Sequence, residues 1–226
     1  MHNSHSTAEH AQASKYLGFQ FEDLDQQRES ATFGMWIFLA TEILFFGALF
    51  TAYFIFRGIY PNAFAEASGA MLFWRGTTNT IILICSSLTM ALAVFSAQIG
   101  RRKLIVLFLL LTVALGIGFL VNKGFEYHQE YLEHHVPGPR FDFPESSDPR
   151  HAELFFSLYF IMTGIHTLHV IIGLFVIGSL AYFAHRGHYA PEYHTPIENT
   201  GLYWHFVDIV WVFLYPMLYL VARRHF

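Results

Sequence analysis

Five stretches of this chain are apolar over a length that can cross a bilayer, and that limits the fold before any single residue is weighed. They are Ala31–Phe56, Thr77–Ile99, Leu104–Asn122, Glu153–Ala184 and Leu202–Val221, each near or above the roughly 20 residues a helix needs to traverse the hydrocarbon region. Inside hydrocarbon no water satisfies backbone N–H and C=O groups, and a helix satisfies them within the segment itself. Of the 226 residues 54% are hydrophobic, 13% are charged and 25 are Phe, an apolar excess that a water-soluble core of this length does not require. The expected fold class is an all-α membrane protein, a five-transmembrane-helix bundle over residues 31–226 behind a polar tail over residues 1–30.

Charge sets the expected orientation. Only Gly100-Arg101-Arg102-Lys103 separates the second span from the third, so these two form a hairpin with three adjacent cations at its tip. The positive-inside rule puts that tip in the cytoplasm, with the N-terminus inside and the C-terminus outside. The Pro-rich connection Lys123–Ala152, with Glu130, Glu133, Asp142, Glu145 and Asp148, then falls outside, and Arg186 falls inside. Arg75, Arg223 and Arg224 on the outer side run against the rule without reversing it. The tail carries His2, His5 and His10 but no basic start, apolar block and cleavage site of a signal peptide, and it is expected to be a retained, solvated terminus.

Other function classes drop out. The single cysteine, Cys85, leaves no disulfide framework or multi-thiolate metal site and is expected as a buried, inert thiol. A formal charge of −4 gives no reason to bind nucleic acid. Neither a Gly-rich phosphate loop nor a nucleophile elbow is present. The chain has no repeat of the kind that builds transporters from inverted halves, and no arginine ladder for voltage sensing.

What remains is a set of polar residues inside apolar spans. The last span holds Trp204-His205-Phe206-Val207-Asp208-Ile209-Val210-Trp211. Trp204, Asp208, Trp211 and Tyr215 fall at helical spacing on one face, which must turn inward, because an ionised aspartate at mid-helix costs about 2.5–3.5 kcal/mol on insertion scales. His205 is a nearby donor. Glu42 lies near the middle of the first span among Phe38, Phe45 and Phe46 with no cation on its helix, which leaves it as a proton-linked group or as a structural, lipid-contacting acid. His166 and His169 are three apart on one helix, and Thr163, Thr167, Glu126 and Asp208 are candidate partners for them. A bis-histidine haem held by His166 and His205 is the alternative. Glu126 reads as a solvated helix end that could join the histidines. Tyr203, Trp204 and Tyr219 near span ends suit anchoring at the headgroups.

The last-span run, with Leu214-Tyr215, closely resembles the final helix of subunit III of the haem-copper oxidases. So does Thr163-Gly164-Ile165-His166-Thr167-Leu168-His169-Val170-Ile171-Ile172-Gly173. Gly34-Met35-Trp36-Ile37-Phe38-Leu39-Ala40-Thr41-Glu42-Ile43-Leu44-Phe45-Phe46 is similar to the third helix of that family, and Glu126-Tyr127, Asn79-Thr80 and Glu198 also agree. These motifs occur in the family's order and cover nearly all of the chain beyond the tail.

The resemblance implies a role. Family members are accessory subunits that bind the side of catalytic subunit I in a complex that also holds subunit II and other subunits, carry no haem or copper themselves, and hold phospholipid in a cleft between their first two helices and the rest. The expectation is a non-redox subunit III of a proton-pumping terminal oxidase in a bacterial inner membrane, with no catalytic, cofactor-binding or metal-binding residue in this chain and with haem and copper in partner subunits. Glu42 is the candidate for the lipid cleft or a proton-linked role, and Glu126, His166, His169, His205 and Asp208 are expected as a buried polar network. An accessory subunit of nitric oxide reductase shares the five-helix pattern, and a stand-alone haem electron carrier is the alternative of a different class. This chain resembles the short form, which begins at the family's third helix. The second span also has Leu92, Val94 and Phe95 where the long form has a tryptophan and two histidines, so no lipid contact carries over to those positions.

Overall fold

The computed structural model describes residues 17–144, 146–189 and 193–221. These form six helices: α1 Leu24–Ile59, α2 Pro61–Ala70, α3 Phe73–Gln98, α4 Arg102–Leu132, α5 Pro149–Arg186 and α6 Thr195–Tyr219. Five of them, all except α2, are long and apolar enough to cross a membrane, in agreement with the expected bundle. The tail histidines His2, His5 and His10, together with Glu145, Arg223 and Arg224, lie outside the described residues.

Local chemistry sets the helix ends. Asp23 caps α1 by accepting from Gln26 N at 2.7 Å, so α1 starts inside the stretch expected as tail. Pro61 has no N–H to continue the ladder and excludes Tyr60 from helical geometry, so the chain breaks there and restarts as the short helix α2. Gly187, at φ 79°, ends α5 in the left-handed conformation, with its own N–H on Ala184 O and that of His188 on Phe183 O. At the far end of α6, where carbonyls lack helical partners, Ser68 Oγ donates to Leu218 O at 2.8 Å and the Tyr53 hydroxyl donates to Met217 O.

Helix α6 is the axis of the bundle and α1 its outrigger: 61% of the apolar window of α6 is buried, against 11% for α1. Helices α3, α4 and α5 stand side by side and α6 packs on α3, α5 and α1. The buried residues of α1, Leu39, Phe46 and Tyr53, recur every seventh position and form a single narrow stripe. Between lipid-immersed helices apolar burial alone supplies little drive, and close packing takes over. Trp204 shows how close it is. Its indole fills the space left by two glycines, for a Cβ on Gly173 would lie 2.8 Å from Trp204 Cζ3 and one on Gly116 3.2 Å from Cη2. Trp204 is therefore a core residue, not a headgroup anchor.

Two further expectations change. Cys85 is exposed, because the buried stripe of α3 passes through Leu83, Ser86 and Met90 and leaves the cysteine on the outer face. The connection expected from Lys123 onward is helical as far as Leu132, so α4 continues well past its apolar span.

Candidate functional site: polar clusters and an interhelical groove

The extension of α4 carries the most buried charge in the described residues. Lys123 and Glu126, three apart and so on one face, are each 1% exposed, with Lys123 Nζ 3.0 Å from Glu126 Oε1. Tyr159 from α5 and Tyr219 from α6 complete the cluster. Each phenol accepts from Nζ at 2.9 Å and donates to Oε1 of the same glutamate. Nζ also lies 4.6 Å from the Tyr159 ring centroid and 5.3 Å from that of Trp211. One ion pair thus pins three helices together. Glu126 is neither a solvated helix end nor a partner of the histidines, and Tyr219 is a buried ligand of the lysine instead of an interfacial anchor. The legible signal was the Lys-x-x-Glu spacing, which a span ended at Asn122 hides.

Glu42 finds its partner on another helix. Its Oε2 lies 3.1 Å from His169 Nε2, while Nδ1 of the same ring lies 2.9 Å from the Ile165 carbonyl. A carbonyl only accepts, so Nδ1 carries a proton. The Glu42 contact then needs one more proton between acid and ring, as neutral acid with neutral imidazole or as carboxylate with imidazolium, and the pair is neutral in either form. Phe46 packs edge-on to the ring at 5.3 Å, and Tyr203 donates to the His169 carbonyl at 3.0 Å.

His166, three residues earlier, turns into the bundle. It is fully buried between Phe119 at 5.6 Å and Trp211 at 5.2 Å, and neither ring nitrogen has a hydrogen-bond partner among the described residues. Thr163 is occupied by Tyr127 and its own helix, and the Thr167 hydroxyl likewise has no hydrogen-bond partner among the described residues. The expected network of Glu126, His166, His169, His205 and Asp208 is therefore dispersed over separate places. The reason is angular: positions 166 and 169 differ by about 60° around the helix, enough to send one ring to α6 and the other to α1.

Helix α3 holds the polar residues of α6. Trp204 Nε1 donates to Ser86 Oγ and Trp211 Nε1 to Thr80 Oγ1, both at 3.1 Å, and Ser87 Oγ lies 2.7 Å from His205 Nδ1. Sequence alone does not single out these small hydroxyls, because serine and threonine in an apolar span also bond their own helix. Asp208 is 6% exposed and inward-facing as expected, yet neither carboxyl oxygen has a hydrogen-bond partner among the described residues. His205 does not serve it.

Around His205 three cavities line up along α6. One of about 510 Å³ lies between α1 and α6 and is almost wholly apolar, with Trp36, Leu39, Phe46, Phe206 and Phe213 in its walls. One of about 890 Å³ widens toward the start of α1 and α6 among Asp25, Arg28, Glu29, Trp36, Glu198 and His205, three acids to one arginine. There Glu198 ties three elements together, 3.5 Å from Arg28, 2.9 Å from Gln98 Nε2 and 3.1 Å from His194. The third, about 410 Å³, separates α3 from α6 and holds Ser87, His205 and Asp208. None of the three is lined by His166, so the two imidazoles of the haem alternative do not share a chamber.

At the opposite end the loops are tied by ions and hydroxyls. Ser146 Oγ, Ser147 N and Ser147 Oγ all donate to Glu66 at 2.7–2.9 Å and hold its carboxyl below the usual range. Asp148, hydrogen-bonded to His151, is likewise lowered. Glu130, Glu133 and His135 bring three metal-competent atoms within 4.8 Å of one another, although His135 Nδ1 is already bonded to Glu130 at 2.8 Å.

Comparison with known proteins adds a separate line of evidence. A family model described as cytochrome c oxidase subunit III matches residues 18–223. The chain is 33% identical over 195 residues to cytochrome c oxidase subunit 3 of Thermostichus vulcanus, covering 84% of this chain and 87% of that protein. It is 32% identical over 195 residues to quinol oxidase subunit 3 of Bacillus spizizenii, covering 84% and 86%. With cytochrome c oxidase subunit 3 of Loxodonta africana it shares 30% over 213 residues, 89% of this chain and 73% of that one.

Proposed function

Since the chain belongs to the cytochrome c oxidase subunit III family and is thereby an accessory subunit of a haem-copper oxidase, we propose that it is the non-redox companion of catalytic subunit I. It packs on the lipid-facing flank of that subunit within the subunit I–subunit II assembly, holds phospholipid there and steadies the entrance for proton uptake. The haem and copper that reduce oxygen belong to its partners. The observation that carries this reading is the groove along α6, apolar between α1 and α6 and polar where it widens among Asp25, Glu29 and the Arg28–Glu198 pair. That is the form an acyl chain below a headgroup requires. Glu42 and His169, a polar pair without net charge, join α1 to α5 at mid-span near the groove wall. The basic hairpin Arg101-Arg102-Lys103 supports a cytoplasmic N-terminus in a bacterial inner membrane.

The test is made on the detergent-purified oxidase. Phospholipid per complex and oxygen consumption over many turnovers are measured before and after the subunit is stripped away, and proton uptake is followed in reconstituted vesicles. Loss of lipid, progressive inactivation and slower uptake are expected. Unchanged turnover and unchanged uptake together would refute the proposal.

A further inference from the structure

Among the described residues no side chain makes a well-formed hydrogen bond to either oxygen of Asp208, and lipid offers none. It stands about 20 Å along α6 from Thr195 and about 16 Å from Tyr219, at about 1.5 Å per residue. That is the middle of a hydrocarbon layer about 30 Å thick, out of reach of headgroups. Acyl chains carry no hydrogen-bond donor. By hydrogen-bond geometry neither carboxyl oxygen is paired among the described residues; the Ser87 hydroxyl beside them interacts with the carboxyl while also meeting His205 Nδ1 at 2.7 Å, and a single O–H can serve only one of the two oxygens. A carboxyl so placed, charged or neutral, keeps acceptor capacity that one shared hydroxyl leaves unfilled and that a donor from outside the chain would fill.

The way in is open. The cavity of about 410 Å³ between α3 and α6 has Asp208 in its wall, and its rim is made of Ile84, Leu88, Ile209 and Val212, each roughly half exposed. Exposed apolar side chains alone mark nothing in a membrane protein, since every span shows them to lipid. A buried acceptor at the bottom of an apolar slot does mark something. We infer that the α3–α6 groove is a docking site for a transmembrane helix of another subunit of the oxidase, one that presents a hydrogen-bond donor to Asp208 at mid-membrane depth. The donor is a hydroxyl, amide, indole, imidazole or cationic side chain, and the apolar rim receives the flanking turns of that helix. This deepens the assembly proposed above and rests on it, because it names the face of the chain that meets its neighbour.

The experiment uses the whole complex in mild detergent. A photoreactive benzoylphenylalanine replaces Leu88 on the groove rim, with Phe175, exposed on α5, as the control position. An adduct from position 88 to another subunit's transmembrane segment is expected. In parallel, Asp208→Leu is expected to lower the fraction of this chain retained on the haem-bearing subunit through a detergent wash by about three- to thirtyfold, the range that interhelical hydrogen bonds cover in membranes. Asp208→Asn, which keeps an acceptor oxygen, retains most of it. Adducts only to lipid, to this chain itself or to a second copy of it overturn the inference, as does unchanged retention of the leucine variant. If Asp208→Leu does not accumulate, the crosslink in the unaltered Asp208 background decides alone. A chain that co-purifies with the haem-bearing subunit while position 88 labels lipid defeats this docking face and leaves the assembly standing; a chain that never co-purifies defeats both.

Discussion

The substitution Lys123→Met tests whether the ion pair holds the α4–α5–α6 core. Methionine fills much of the volume of the lysine stem but removes the cation, leaving Glu126 buried at 1% exposure with two phenol donors and no counter-charge. Removing one partner of a buried pair costs about 3–5 kcal/mol, whereas replacing both by uncharged groups of similar size is often neutral. Glu126→Gln alone strands the ammonium and should cost about as much. In the double variant Lys123→Met with Glu126→Gln the amide oxygen still accepts from Tyr159 and Tyr219, while the phenols lose their donor and the amide NH2 stands where Glu126 Oε2 has no hydrogen-bond partner among the described residues, an uncharged cost smaller than that of a stranded charge. It should therefore recover at least about 2 kcal/mol relative to either single variant. At about 2–4 °C per kcal/mol for a chain of this size, each single variant lowers the thermal midpoint by about 6–20 °C and the pair recovers about 4 °C or more. The assay is intrinsic fluorescence of the purified oxidase on heating, with Trp204 and Trp211 reporting the core. Additive losses, with a coupling below about 0.5 kcal/mol, would refute the claim that the two charges act as a unit.

Three further outcomes are expected. Glu42→Gln should leave the thermal midpoint within about 2 °C, because an amide N–H can donate to His169 Nε2, while Glu42→Leu strands that nitrogen and costs about 1–3 kcal/mol; equal effects of the two would count against the shared-proton pair. Gly173→Ala drives a Cβ to within 2.8 Å of Trp204 and should destabilise by about 1–3 kcal/mol with a shifted tryptophan emission, whereas Gly178→Ala, with open space around it, should not. The Glu66 carboxyl is lowered by its serine donors, so its contribution is full above the ordinary carboxylate range and is lost as pH falls through the lowered value. Proteolysis near Ser147 should accelerate on that acid side in the native chain, and Glu66→Gln should flatten this pH dependence.

How much of this was readable in advance varied by level. Period, length and charge fixed the spans, the α3–α4 hairpin and the inward face of Trp204, Asp208 and Trp211. The motifs around His166 and in the last helix fixed the family. Pairing was not readable, because it depends on which helices become neighbours. His166 and His169 are one turn apart and looked like a unit, yet one ring is enclosed by Phe119 and Trp211 and the other reaches Glu42. Cys85 looked buried because its surroundings are apolar, but in a membrane apolar surroundings do not imply an interior position. Lys123 looked like the end of a span because hydropathy falls there; its burial depends on Glu126 from the same helix and on phenols more than 30 residues away along the chain.

The amino-acid order alone determined that the chain enters a bilayer as five helices and which family it joins, since both follow from residue type and local spacing. Tertiary structure alone decided that Lys123 and Glu126 neutralise each other, that α1 reaches the bundle through a stripe of one residue in seven, and that Asp208 is left without a well-formed hydrogen bond among the described residues. A buried polar group takes its character from whatever atoms lie within about 3 Å, and for residues on separate helices that distance is set only once the helices have packed.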